Sequence, residues 1–126
     1  MKNKKHILLY GGKSTALIVS DMLKEKKESA KFIFDEYIDK LEFKSNAKFS
    51  NKKKDLSQFI KKSSHFFICI GMMDGKLRNY ISKIFIKKGL KQMSLKSKYS
   101  IIDKSSSFGG GTLFMPNVVI HKHVKI

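Results

Sequence analysis

Cysteine is nearly missing from this chain. Cys69 stands alone among 126 residues, so no intrachain disulfide can form and no CxxC-type metal site exists. No metal ligand set is expected. Arginine is as scarce: Arg78 is the only one, and every other cationic residue is lysine. Readers of base edges and clamps on phosphate favour the planar guanidinium fork. The ten acidic residues are far outnumbered by 27 Lys and Arg, which leaves a net charge of +17 and a pI near 10.0. Scattered lysine is also what a compositional bias toward Lys, Ile, Phe and Asn produces, so no specific nucleic-acid partner is expected. Long apolar runs are absent too. After the basic start Met1 to His6, the run Ile7-Leu8-Leu9-Tyr10 stops at Gly11-Gly12, too short for a secretory core or a membrane span. A cytoplasmic protein without membrane insertion is expected.

What is present is enough for a core. Hydrophobic residues make up 41% and aromatics 11%, so the chain is long and apolar enough for one domain with a fragment of a second. The segment His6 to Tyr10 reads as a strand buried on both faces of a parallel sheet. Ala16, Leu17, Val19, Met22 and Leu23 recur at helical spacing, with Ser14 or Thr15 as N-cap. Lys31-Phe32-Ile33-Phe34 is a second strand, closed by Asp35-Glu36. Strand, glycine turn, helix, strand and acid pair make half of a βαβ nucleotide-binding unit.

Residues Asp39 to Lys54 read as a surface connection with one edge strand. Leu56, Phe59 and Ile60 indicate a short helix, and His65 to Ile70 is the clearest buried strand. A long helix follows from about Gly75 to Lys88, its apolar stripe made of Leu77, Tyr80, Ile81, Ile84 and Phe85, with Gly89 as C-cap. Gln92 to Leu95 would be the last of about four parallel strands. The expected fold class is α/β: a small Rossmann-like parallel sheet flanked by helices over residues 1–97, followed over 98–126 by the start of a left-handed parallel β-helix.

The second part rests on a repeat. Ile102, Phe108, Phe114, Ile120 and Ile126 recur every six positions, and two residues before each stands Ser100, Ser106, Thr112, Val118 or Val124. Such a double column predicts a parallel coil with one large inward residue per edge and a slim one beside it.

Chemistry is expected at the carboxyl ends of the strands. Gly11, Gly12, Lys13 and Ser14 join the first strand to the first helix, where amides at a helix N-terminus suit a diphosphate or carboxylate. On this reading Gly11→Val costs binding more than folding. Asp35 and Glu36 are placed to accept hydrogen bonds from sugar hydroxyls. Gly71, before Met72-Met73, ends the third strand beside the first loop, and Arg78 can reach a phosphate from the following helix. Two other readings stay open. Lys2, Lys4 and Lys5 with Lys52, Lys53 and Lys54 would serve a non-enzymatic module for polyanions. Asp35, 24 positions after Gly11, would fit a nicotinamide dinucleotide-binding fragment.

The order of these elements resembles the hexapeptide-repeat sugar acetyltransferases, a family that includes sialic acid O-acetyltransferase (NeuD) and the bacillosamine-pathway N-acetyltransferase (PglD). The resemblance covers essentially the whole chain. It rests on Tyr10-Gly11-Gly12-Lys13-Ser14-Thr15-Ala16, on Asp35-Glu36, on Ile70-Gly71 with Arg78, and on Met115-Pro116-Asn117-Val118-Val119-Ile120. It implies that the N-terminal domain binds a UDP-linked amino sugar or a related nucleotide sugar, and that Gly11, Gly12, Asp35, Glu36 and Gly71 belong to that site. The family also implies a homotrimer holding acetyl-CoA between neighbouring coils, and a catalytic histidine roughly three hexapeptides past the Met-Pro element, beyond Ile126. His121 and His123 fall outside the active-site register. The expectation is therefore no catalytic residue in this chain, no stable acetyl-CoA binding and no stable trimer of it alone.

Overall fold

A computed structural model of the chain describes residues 4–71 and 74–126; Met72-Met73 and Lys2 lie outside them. The first unit runs β1 (Ile7–Tyr10), α1 (Ser14–Glu25), β2 (Ala30–Phe34), β3 (Lys48–Ser50), α2 (Lys53–Lys62), β4 (His65–Ile68), α3 (Gly75–Lys87) and β5 (Lys91–Gln92). The five strands form one parallel sheet in the order β3-β2-β1-β4-β5. Alternation along the strands fills two cores. Ile7, Leu9, Ile33 and Phe67 pack with Ala16, Val19, Met22 and Leu23 of α1. Leu8, Phe32, Phe34, Phe66 and Ile68 pack on the other face with Phe59 of α2 and Ile81 and Phe85 of α3. A sheet covered on both faces needs apolar residues at successive positions, which is why these strands read as unbroken runs.

The helix ends differ in how they are closed. α3 is capped by Asp74, whose carboxylate accepts the Leu77 N–H at 3.3 Å, and Gly89, at φ 93°, turns the chain out of it one residue past the C-cap. α1 has no such cap. Lys13 precedes it without a side-chain hydrogen bond, and the expected caps Ser14 and Thr15 lie inside the helix.

Beyond β5 the chain leaves the sheet earlier than its apolar pattern implies. Gln92 to Leu95 is not one strand: β5 ends at Gln92, and β6 (Leu95–Lys96) pairs instead with β8 (Leu113–Phe114). That rung precedes the division expected after residue 97. β7 (Ile101–Ile102) pairs with β9 (Val119–Ile120), and Ser107 bridges Lys125, all in parallel. Every partner lies 18 positions on, so three hexapeptides make one turn. Gly111, Asn117 and His123 take positive φ at successive six-residue steps, and these left-handed residues turn the corners. Inside, Phe114 is buried and meets Phe108 edge-on at 4.9 Å, while the Lys96 ammonium sits 4.7 Å from the Phe108 ring. Ile101 and Val119 point outward and are exposed. Leu95 also points out of the coil, yet it is fully buried because it joins the core under α1.

Candidate functional site

In a sheet of this order the crossovers from the central strand leave in opposite directions, and a crevice opens beyond the carboxyl ends where they part. Here that crevice lies between the ends of β1 and β4. It is a cavity of about 330 Å³ walled by Tyr10, Gly11, Lys13, Ser14 and Thr15 from the first loop and helix, by Asp35, Glu36 and Tyr37 after β2, and by Cys69, Ile70 and Gly71 after β4. Leu77 and Ile81 of α3 close one side. Six residues expected at the site therefore come together: Gly11, Lys13, Ser14, Asp35, Glu36 and Gly71.

The glycines do different work from that expected. Gly11 adopts φ 113°, and a Cβ there would lie 2.5 Å from the Cys69 carbonyl oxygen. Its N–H donates to the Phe34 carbonyl at 2.7 Å. A Cβ on Gly12 would crowd Ile38 and Leu41, at 3.0 and 3.1 Å. The close approach that requires glycine is thus to the protein's own backbone and side chains, and the expectation that Gly11→Val harms binding before folding is corrected. Gly71 is the opposite case. No described atom lies within 4 Å of where its Cβ would be, so absence of a side chain there leaves open space over the strand end.

Asp35 clasps the loop. One carboxylate oxygen accepts the Gly12 N–H at 3.0 Å and the other the Tyr37 N–H at 2.9 Å. Charge-assisted bonds of this kind fix geometry, here tying the glycine turn to the end of β2. The Gly11 and Gly12 amides are therefore already engaged. What remains for an anion is the first turn of α1, Ser14 to Ala16, whose N–H groups lack intrahelical acceptors and side-chain caps. Glu36 faces Lys53 at 3.8 Å. A hydrogen bond to Glu36, with the charge of that carboxylate, holds the Tyr37 phenol above its ordinary range. Burial, reinforced by Glu36, does the same for Tyr10, which leans on Phe34 and Phe85. Burial also pushes the Cys69 thiol up, so it is a packed residue rather than a nucleophile.

Arg78 does not join this cavity. Its guanidinium donates to the Gly71 carbonyl at 2.6 Å and lines a separate hollow with Gly75, Gln92, Gly110 and Gly111. From there it holds the end of the β4 loop. Tyr10, Thr15 and Tyr37 also line the crevice; their signal is position, since Tyr10 ends β1, Thr15 lies in the first turn of α1 and Tyr37 follows β2, all at the same edge of the sheet.

The lysine clusters fall apart in space. Lys5 precedes β1 and pairs with Glu28 at 3.4 Å, whereas Lys52, Lys53 and Lys54 follow β3. In a parallel sheet these are opposite ends, so no single patch forms. Asp35, committed to two backbone amides, is also not the free ribose acceptor that a dinucleotide site uses. His123 turns a coil corner at φ 60° with its N–H on Ser105; both it and His121 are exposed. Among the described residues no group of three His, Cys, Asp and Glu side chains could hold a metal ion, and no helix is long and apolar enough to cross a membrane.

No protein-family model and no curated protein matches the sequence. Solved structures do match the fold. A mutant of perosamine N-acetyltransferase from Caulobacter crescentus, in complex with CoA and GDP-perosamine, aligns with 96% of this chain at a TM-score of 0.80 and 20% identity, over 56% of its own length. The unmodified PerB complex aligns over the same shares with a TM-score of 0.76. The acetyltransferase domain of PglB from Neisseria gonorrhoeae, in complex with acetyl coenzyme A, aligns with 98% of this chain at a TM-score of 0.74 and 14% identity, over 60% of its own length. The chain thus spans somewhat more than half of each of these structures, and what it shares with them is the α/β architecture: a parallel sheet with flanking helices leading into parallel β-structure.

Proposed function

We propose that the chain is the nucleotide-sugar-binding part, with the opening coils, of an acetyl-CoA-dependent sugar acetyltransferase. In this reading residues 1–97 hold the nucleotide sugar and 98–126 begin a left-handed β-helix, although its first rung is already laid by Leu95. The observation that supports it best is the coexistence, in one chain and in this order, of a crevice at the parting of β1 and β4 with a coil of 18-residue pitch. Proteins of the same fold have been captured with CoA and GDP-perosamine.

Each wall has a task. The uncapped first turn of α1, with Lys13 beside it, receives the diphosphate. Glu36 presents a carboxylate acceptor for hydroxyls, with the Tyr37 phenol hydrogen-bonded beside it. Open space at Gly71 admits the sugar over the end of β4. Asp35 acts one step back, by holding Gly12 so that α1 begins in the right place. Acetyl-CoA supplies the activated acetyl group in such enzymes, taken between coils of a homotrimer, and no residue of this chain is assigned to it or to proton transfer. The single thiol, buried and reduced, suits the cytoplasm.

Isothermal titration with UDP-, GDP- and CMP-linked sugars tests the proposal. Saturable heat with a UDP-sugar, and less with the free sugar, is expected. Gly71→Val should remove that heat without moving the melting temperature, because the new side chain meets no described atom. Absence of heat across the whole panel, or binding indifferent to Gly71→Val, would refute the site.

A further inference from the structure

A second opening shares Tyr10, Leu77 and Ile81 with the crevice but leads away from it, down the face of the sheet between α2 and α3. It encloses about 810 Å³. Leu56 and Ile60 of α2 form one wall, Tyr80 and Ile84 of α3 the other, and Phe85 and Leu90 the floor. Leu77 and Tyr80 remain 40% and 64% exposed. From Leu77 to Lys88 the groove follows α3 for about 16 Å at the helical rise, a length over which apolar anchors one turn apart can seat. Most of its lining is apolar, and it runs between two helices whose outer faces are basic.

Its rim specifies charge. α2 and α3 carry Lys53, Lys54, Lys61, Lys62, Lys76, Arg78, Lys83 and Lys87, and Lys61 and Lys88 line the groove itself. The one acidic residue within these helices, Asp55, is turned to the Ser50 hydroxyl at 2.6 Å. The helices of a second copy of the chain do not answer this rim. The acids of its remaining helix are Asp21, beside Lys24 at 3.9 Å, and Glu25, which takes the Lys98 N–H at 3.1 Å, and two copies at +17 repel.

We propose that the groove between α2 and α3 receives an acidic amphipathic helix of a partner protein, its apolar face between Ile60 and Ile84 and its carboxylates on Lys61 and Lys88. The site is independent of whether the crevice binds a nucleotide sugar.

The test is fluorescence anisotropy on the whole chain with three labelled peptides of about four helical turns. One carries Leu and Phe on one face and Glu on the other; one is the same composition scrambled; one has Lys for Glu. At about 0.15 M salt the first should bind at least about tenfold tighter than the scrambled peptide, and the Lys peptide should not bind. Tyr80→Glu, and separately Lys61→Gln with Lys88→Gln, should each weaken the first peptide, by about tenfold and about threefold or more, with little change in melting temperature, since all three side chains are exposed. Equal binding of ordered and scrambled peptides would reduce the effect to net charge and overturn the proposal. So would binding untouched by Tyr80→Glu, no binding of the first peptide, or vesicles of anionic lipid competing it off through the same residues.

Discussion

In the five-stranded unit each face of the sheet is closed by residues far apart in the chain, whereas in the coil each rung is closed only by the rung 18 residues away. Ile7 pairs with His65 across 58 positions, and one core waits on α1 while the other waits on α2 and α3. The coil needs no such long-range closure. Its interior is correspondingly thin: Phe114 is buried, while Ile102, Phe108 and Ile120 in the same column are only partly buried. The comparison teaches that a non-local core resists local opening, and that a stacked one is as stable as its neighbours make it. Leu95 links the two, a coil residue whose side chain belongs to the core under α1.

The largest expected effect strikes the sheet. Gly11→Val places a side chain against the Cys69 carbonyl at a backbone conformation that valine rarely adopts, and should cost about 3 kcal/mol or more. Urea unfolding followed by far-UV dichroism reads it as a lower midpoint at constant slope. A midpoint equal to that of the parent would mean that the loop swings clear of β4, and the contrast between a rigid sheet and a yielding coil would lose its basis.

Phe114→Ala comes next, with a local cost of about 3 kcal/mol. Hydrogen exchange should already show faster opening from Phe108 to Ile126 than in β1 and β4, and the substitution should widen that gap by deprotecting the coil alone. If amides of Leu8, Leu9, Phe66 and Phe67 lose protection by the same factor, the chain is one cooperative unit and the two regions are not separable.

The smallest effect is pH dependence confined to the sheet. His65 opens β4, and burial, with Lys5 and Lys91 nearby, lowers its pKa from 6.5. The unfolded chain therefore takes up the proton first. Its contribution to stability is complete above 6.5 and is lost as pH falls from there toward the folded value. Melting between about pH 8 and about pH 5 should fall more steeply in the parent than in His65→Gln. Identical slopes would remove His65 as the cause.

Much of this arrangement is readable in the residues. Continuous apolar runs reveal a sheet covered on both faces, and the recurrence of Phe108, Phe114 and Ile120 falls on the rungs. The break between β5 and β6 is not readable, because Met93 and Leu95 are both buried in the one core under α1 and no Gly or Pro stands between them. The edge strand β3 lifts the count to five, where about four strands were expected; it holds three residues, of which only Ser50 is buried. At the site, residue types at strand ends were legible, but their partners were not. That Asp35 spends both oxygens on Gly12 and Tyr37, or that Arg78 reaches back to Gly71, depends on where the elements come to lie. No local pattern encodes such a meeting.

The constant separation of paired rungs has a consequence for how such a chain can change. A tandem duplication of 18 residues anywhere between Leu95 and Ile126 would join equivalent edges, with every inward residue still inward and every corner still at a corner. An event one residue longer or shorter would turn the column of Phe108 and Phe114 out to water. The coil therefore tolerates copying errors in whole hexapeptides, and it can acquire new turns without inventing a new interface.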